Sequence, residues 1–280
     1  MTKQNRVSGS IGIFDSGLGG LSVWREIARQ LPGENTLYVA DQAHVPYGSR
    51  SMDEIRSFCE AIAVFLLEQG AKIVVIACNA ASAAALHYLR KLYPDVAFVG
   101  MEPAVKPAVK NTRTGVVGVL ATQTTFQGKL FESLIAAYGN HARVVTCVGH
   151  GLVENVESGA VDTLETEKLL KECMDPLLSM GADQLVLGCT HYQFLMPLIR
   201  KLAGSAVSII DPAPAVALQT ARVMKQRQLI NTNQGKGRHV FLTTGKPETF
   251  KSNLERLITP FTDKWETGGV NWQSGCLVHV

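Results

Sequence analysis

Two apolar strands in this chain end in the same way. Gly70-Ala71 stands eight residues before Cys78, and Gly181-Ala182 stands eight residues before Cys189. Ile73-Val74-Val75-Ile76 fills the first interval and Leu185-Val186-Leu187 the second. A helical pattern follows each cysteine and closes in Arg90-Lys91-Leu92 and Arg200-Lys201-Leu202. Upstream, residues 11–14 with Asp15-Ser16 correspond to 116–120 with Ala121-Thr122. An offset kept over strand, cysteine and helix is the mark of a repeated supersecondary unit. It obliges the chain to fold as two matching halves, each with a thiol at the same place.

The rest of the pattern agrees. Strand-like runs at 11–14, Thr36–Ala40, 73–77 and 96–100 alternate with helical spacing at Leu21–Gln30, 52–69 and 80–92, with Ser51 as an N-cap. The second half repeats this with strands at 115–120, 143–147, 184–187 and 207–210. Its helices are expected at 125–138, 163–180 and 193–202, with Pro176 kinking or dividing the second and Pro197 kinking the third near its first turns. After about Gln226 the chain changes character, through Asn231-Thr232-Asn233-Gln234-Gly235 to a strand at 238–244, a short helix at 253–258 and a last strand at 274–280. Such alternation predicts parallel-sheet α/β architecture. The expectation is two pseudo-symmetric α/β units facing each other across a cleft. The first takes residues 1–100 plus 211–280, with the C-terminal tail packed back onto it, and the second takes 101–210.

Composition excludes several classes. Hydrophobic residues are 46% and charged residues 18% of the 280, which suits a folded globular chain. Net charge is only +3 with no basic stripe, so nucleic acid is not an expected partner. The stretch 73–86 is too short, and too interrupted by Asn79 and Ser82, to span a bilayer. Met1 to Ser10 lacks the apolar core of a signal peptide, so a cytoplasmic location is expected. None of the six cysteines forms a C-x-x-C pair, and no Cys/His spacing fits a metal site. Cys59, Cys147, Cys173 and Cys276 read as structural thiols, and the remaining histidines show no ligand spacing.

Cys78-Asn79 and Cys189-Thr190-His191 carry the chemistry. Each thiol follows a strand of buried type and precedes a helix, at the carboxyl end of a parallel strand where ligands bind. Helix N-termini favour thiolates and carboxylates. If the halves face each other, the two thiols flank one cleft. Disulfide chemistry is one use for such a pair. Inverting a carbon stereocentre is another, because it needs a base on one face and an acid on the opposite face. Asp15 at the first strand end is placed near Cys78, and His191 is placed to handle the proton of Cys189. The turn Asp15-Ser16-Gly17-Leu18-Gly19-Gly20 can hold a carboxylate on its backbone N–H groups. Pro46-Tyr47-Gly48 reads as a loop over the ligand, and Thr122, Thr124 and Thr125 offer hydroxyls.

At these residues the sequence resembles glutamate racemase, in the aspartate/glutamate racemase superfamily. The matching motifs are Phe14-Asp15-Ser16-Gly17-Leu18-Gly19-Gly20, residues 38–48, Cys78-Asn79, Ala121-Thr122-x-x-Thr125, Gly188-Cys189-Thr190-His191-Tyr192 and Thr243-Thr244-Gly245. The Cys-Thr-His-Tyr form favours the glutamate branch. The resemblance implies interconversion of L- and D-glutamate without a cofactor, supply of D-glutamate for peptidoglycan, and a homodimer. It implies that Cys78 handles the α-proton of D-glutamate and Cys189 that of L-glutamate, with Asp15 and His191 as helpers. Ser16, Pro46, Tyr47, Gly48, Asn79, Thr122, Thr125 and Thr190 carry over as substrate contacts, and Glu157 as an acidic helper near the second thiol. Two positions depart from the family: Ala80 stands where Thr is usual, and Gln193 where Pro is usual. A racemase for aspartate or a hydantoin, and a non-catalytic ligand-binding relative, are the competing readings. Only about ten residues precede the first strand, so an activator-binding extension there is not expected.

Overall fold

The computed structural model of the chain describes residues 8–232, 235–258 and 265–280. Val7 and the residues before it, and Asn233-Gln234 of the polar stretch, lie outside these. The first half runs β1 (Ser10–Asp15), α1 (Leu21–Gln30), β2 (Thr36–Ala40), α2 (Met52–Glu68), β3 (Ala71–Ile76), α3 (Asn79–Leu92) and β4 (Phe98–Gly100). The second continues with α4 (Val105–Asn111), β5 (Val116–Ala121), α5 (Gln123–Gln127), α6 (Lys129–Tyr138), β6 (Arg143–Val148), α7 (Leu152–Glu157), α8 (Leu164–Ser179), β7 (Gln184–Gly188), α9 (Met196–Ala203) and β8 (Ser208–Ile210). The chain then adds α10 (Ala213–Gln226), β9 (His239–Thr243), α11 (Pro247–Ile258), β10 (Trp265–Gln273) and β11 (Cys276–His279).

The strands form two sheets, β11-β10-β9-β2-β1-β3-β4 and β6-β5-β7-β8. Within the larger sheet, β4-β3-β1-β2 has the same order as β8-β7-β5-β6 in the smaller, and all these pairings are parallel. The repeat in the sequence is therefore a repeat in topology. Cys78 follows β3 and Cys189 follows β7, so the thiols occupy equivalent strand ends. Asp15 ends β1, and Ala121 ends the equivalent β5. The five residues of β2 and of β7 are all buried, which is why they read as unbroken apolar runs rather than alternating ones. Apolar clusters cover both faces of each sheet, with Ile13, Trp24 and Phe241 on one side of the larger and Phe14, Ile62 and Ile76 on the other.

The tail joins the larger sheet. β9 pairs with β2 in parallel, and β10 with β9, while only the final hairpin of β10 and β11 is antiparallel. The last strand expected at 274–280 is thus the second arm of that hairpin. Ser51 caps α2, with the reciprocal contact from Glu54.

Three local expectations are corrected. Pro176 does not divide α8, which runs through it to Ser179. Pro176 and Glu172, whose carbonyl would otherwise accept from residue 176, are both exposed, so water can satisfy that carbonyl. Pro197 sits at the start of its helix rather than inside it. Thr190–Leu195 is a 3-10 turn, and α9 starts at Met196 with Pro197 in its first turn, where a missing N–H costs nothing. The helix expected over 125–138 is broken at Gly128, which is extended. A Cβ there would stand 2.6 Å from the Ala83 Cβ on α3, so the break sits where α3 of the first half packs closely against it.

Candidate active site

Parallel packing brings the carboxyl ends of β1, β3, β5 and β7 to a common cleft. Its walls are Ser16, Pro46, Tyr47, Gly48, Cys78, Asn79, Ala80, Thr122, Val153, Cys189, Thr190 and His191. The walls stand close together, and the space between them is about 260 Å³, part of it open to solvent. Of the thirteen site residues that the family resemblance implies, ten line this cleft. The other three, Asp15, Thr125 and Glu157, stand behind it.

Cys78 Sγ accepts from the Ala81 amide at 3.5 Å as the N-cap of α3, and Ser16 Oγ lies 3.9 Å from it. Burial, and then the charge of Asp15, push the Cys78 thiol well above its ordinary range, so it rests as S–H. Cys189 Sγ lies 3.9 Å from His191 Nδ1. Across the ring, His191 Nε2 is 2.6 Å from Glu157 Oε1. Burial alone would lower the His191 value, but the contacts and charges of Cys189 and Glu157 outweigh it and hold the imidazolium well above the usual histidine range. Burial would likewise raise Glu157, yet its bonds to His191, Leu18 N–H and Gln42 keep its carboxyl below the ordinary value.

Asp15 is fully buried and makes no hydrogen bond to Cys78. Its carboxylate accepts from the Gly17 amide at 2.7 Å and from the Thr190 hydroxyl at 3.1 Å. It therefore braces its own turn and ties it to the other half. Burial raises its carboxyl, opposed chiefly by the charge of His191. The glycines of this turn are explained by close approach. A Cβ on Gly17 would collide with Glu157, and one on Gly19 with Thr190 and His191.

Thr125 Oγ1 lies 3.0 Å from Thr122 Oγ1 and fixes it. Thr124 is diverted elsewhere, donating to the Gly48 carbonyl at 3.0 Å and so docking the loop 46–48 on the second half. Ala80 is buried in the cleft wall.

Several supporting residues escaped the sequence reading. Val153 lines the cleft as one apolar residue among many, and carries no signal. Gln42 Nε2 donates to Glu157 Oε2 at 2.7 Å. Asp41 is fully buried and accepts from Tyr47 Oη at 2.6 Å, Thr244 Oγ1 at 2.8 Å and Trp272 Nε1 at 2.8 Å, with His44 Nδ1 at 2.9 Å. Its place inside the matched stretch 38–48 was the available clue. The Thr243-Thr244-Gly245 motif works here, since Thr243 donates to Gln42 Oε1 at 2.9 Å.

Asn79 Oδ1 is buried, and among the described residues no donor reaches it. An orphaned acceptor at a cleft wall is prepared for a donor on a ligand. Among the described residues, no Lys or Arg lines the cleft. Anionic groups must then be held by hydroxyls and by backbone N–H groups at the N-terminal end of α3. Among the described residues, no cluster of His, Cys, Asp and Glu is placed to hold a metal ion, and no helix is long and apolar enough to cross a membrane.

Comparison with known proteins gives the same answer. The Asp/Glu/Hydantoin racemase family model matches residues 11–220. The glutamate racemase of Roseiflexus sp. (strain RS-1) is 51% identical over 251 residues, 89% of this chain and 92% of its own. That of Ectopseudomonas mendocina (strain ymp) is 50% identical over 228 residues, 81% of this chain and 87% of its own. The crystal structure of a glutamate racemase isoform from Bacillus anthracis superposes with a TM-score of 0.86 at 31% identity, covering 96% of this chain and 99% of that one. The Francisella tularensis glutamate racemase in complex with D-glutamate gives 0.81 at 28% identity, with 94% and 98% covered. With the family model spanning most of the chain and half the residues shared with such relatives, the chain belongs to the Asp/Glu/Hydantoin racemase family, among the glutamate racemases.

Proposed function

We propose that the cleft interconverts L- and D-glutamate by passing the α-proton between two thiols, and so supplies D-glutamate for peptidoglycan. The observation that carries this reading is that Cys78 and Cys189, from equivalent strand ends of two repeated units, line one small cleft. A base and an acid on opposite sides of a carbon are what inversion needs.

In the L-to-D direction Cys189 takes the α-proton of L-glutamate and Cys78, resting as S–H, gives its own to the opposite face. The product leaves with Cys189 protonated and Cys78 as thiolate, and proton exchange with solvent resets the pair. In the D-to-L direction the roles reverse. His191, held charged by Glu157, presents Nδ1–H to Cys189 and balances the negative charge of that sulfur while it acts as base. The hard step is removal of a weakly acidic α-proton. A buried cleft strengthens each aimed hydrogen bond to the developing negative charge. Asn79 Oδ1 accepts from the substrate ammonium, while Ser16, Gly48, Thr122 and Thr190 hold its carboxylates. The two units behind this reading are residues 1–100 plus 211–280, and 101–210. A homodimer belongs to the same reading, and light scattering after size-exclusion chromatography tests it.

The test of the activity is the circular dichroism of L-glutamate incubated with the purified chain, with EDTA and without pyridoxal phosphate, beside L-aspartate. Decay to zero with glutamate alone supports the proposal. Decay with aspartate alone assigns the cleft to another substrate, with Ala80 as part of the reason. No decay with either rejects the reading.

A further inference from the structure

Cys147 and Cys173 take no part in the cleft, yet their sulfurs are 2.7 Å apart. Cys147 lies on β6, the edge strand of the smaller sheet, and is half-buried. Cys173 lies on α8, packed against that strand, and is buried. The Cys173 thiol is also 3.1 Å from the Val148 carbonyl. Among the described residues no other two cysteine sulfurs make such a contact. The surroundings distinguish the pair. The contact with Cys173 lowers the Cys147 thiol below its ordinary range, against the effect of burial, while the same contact raises Cys173. The more accessible sulfur is thus the better nucleophile, and the buried one stands ready behind it.

We propose that Cys147 and Cys173 form a reversible disulfide by exchange with a low-molecular-weight disulfide, as a modification site separate from the cleft. The Cys147 thiolate attacks one sulfur of the small disulfide. A mixed disulfide forms on Cys147, the small S–S bond breaks, and one thiolate leaves. Cys173 then gives up its proton and attacks the Cys147 sulfur, so that the protein S–S bond forms and the second small thiolate leaves. Two protein thiols are oxidised and one small disulfide is reduced to two thiols, which take the two protons. The new bond ties the edge strand β6 to α8. It also removes the thiol hydrogen facing Val148, one residue before the Gly149 carbonyl that accepts from Tyr192 Oη at 3.2 Å.

The experiment incubates the full chain with oxidised glutathione, blocks free thiols with iodoacetamide, and maps an unreduced digest by mass spectrometry. The expected result is a cross-linked peptide joining Cys147 and Cys173 that dithiothreitol separates. In Cys173→Ala, glutathione is expected to stay on Cys147 as a mixed disulfide. Wild-type protein that carries glutathione on Cys147 with Cys173 alkylated overturns the proposal, as does recovery of both thiols alkylated. The readout is a mass rather than a rate, so it is independent of the racemase reading.

Discussion

Glu157 Oε1 stands 2.6 Å from His191 Nε2, and the same oxygen accepts from the Leu18 amide at 2.6 Å. One carboxylate thus orients the imidazole beside Cys189 and binds the turn that carries Asp15. The geometry of the second thiol and one of the contacts that close the two halves run through a single side chain, only 12% exposed.

This pair makes stability depend on pH. Folded His191 titrates well above its ordinary 6.5. Its contribution is complete below pH 6.5 and is lost as pH rises through the raised folded value. Folded Glu157 titrates below its ordinary 4.5. Its contribution is present above pH 4.5 and is lost as pH falls through the lowered folded value. Removing one partner of a buried pair costs about 3–5 kcal/mol. Denaturant midpoints of wild type and Glu157→Gln should therefore differ most near pH 5–6 and converge toward the alkaline end. A gap that is flat with pH would show that the pair is not ionic.

Cys78→Ser and Cys189→Ser conserve size and remove the proton donors of the proposed mechanism. Each should lower racemisation by roughly 10²–10⁴-fold in both directions, the usual worth of a positioned acid or base. Exchange of the α-proton, followed by NMR in deuterated water, should survive from one enantiomer only. Near-normal rates in both variants would exclude the two-thiol mechanism.

Gly19→Ala tests the closure of the cleft. The added Cβ has no room beside Thr190 Oγ1 and His191 Nδ1. Forcing a methyl into a packed site costs about 1–3 kcal/mol. Thermal unfolding should show that loss, and activity should fall further than stability because His191 is displaced. A variant as stable and active as wild type would mean the turn relaxes freely.

Ala80→Thr restores the hydroxyl usual in the family at a buried cleft position. One neutral hydrogen bond is worth about 0.5–1.5 kcal/mol. Steady-state kinetics should show KM for L-glutamate falling about two- to tenfold with kcat little changed. A rise in KM would mean that the wall has repacked around alanine.

Tyr47→Phe removes the donor that Asp41 receives at 2.6 Å and leaves a buried carboxylate with one partner fewer. Hydrogen bonds to charged groups contribute about 1.5–3 kcal/mol. The loop 46–48 should loosen, raising KM more than it lowers kcat. Equal loss in both would place Tyr47 in the chemical step instead.

What was legible in the sequence follows from local pattern. The buried strands announced themselves as unbroken β-branched runs, and the repeat around Cys78 and Cys189 announced two equivalent strand ends. Strand-end residues are exposed to a ligand by topology, so Asp15, Ser16, Asn79 and Thr190 could be named without coordinates. The tertiary structure decided what those residues do to one another. Asp15, expected beside Cys78, acts on that thiol through its charge, while its hydrogen bonds go to Gly17 and Thr190. Asp41 and Gln42 lay inside the matched stretch 38–48 with no role legible there, Val153 gave no signal, and Cys147 and Cys173 read as separate inert thiols until β6 and α8 packed together. Period and spacing act over a few residues, and report which face of an element is buried. The contacts that tie the two halves together at this site join residues up to 175 positions apart, and their lengths are set by how the two sheets dock, which no local pattern records.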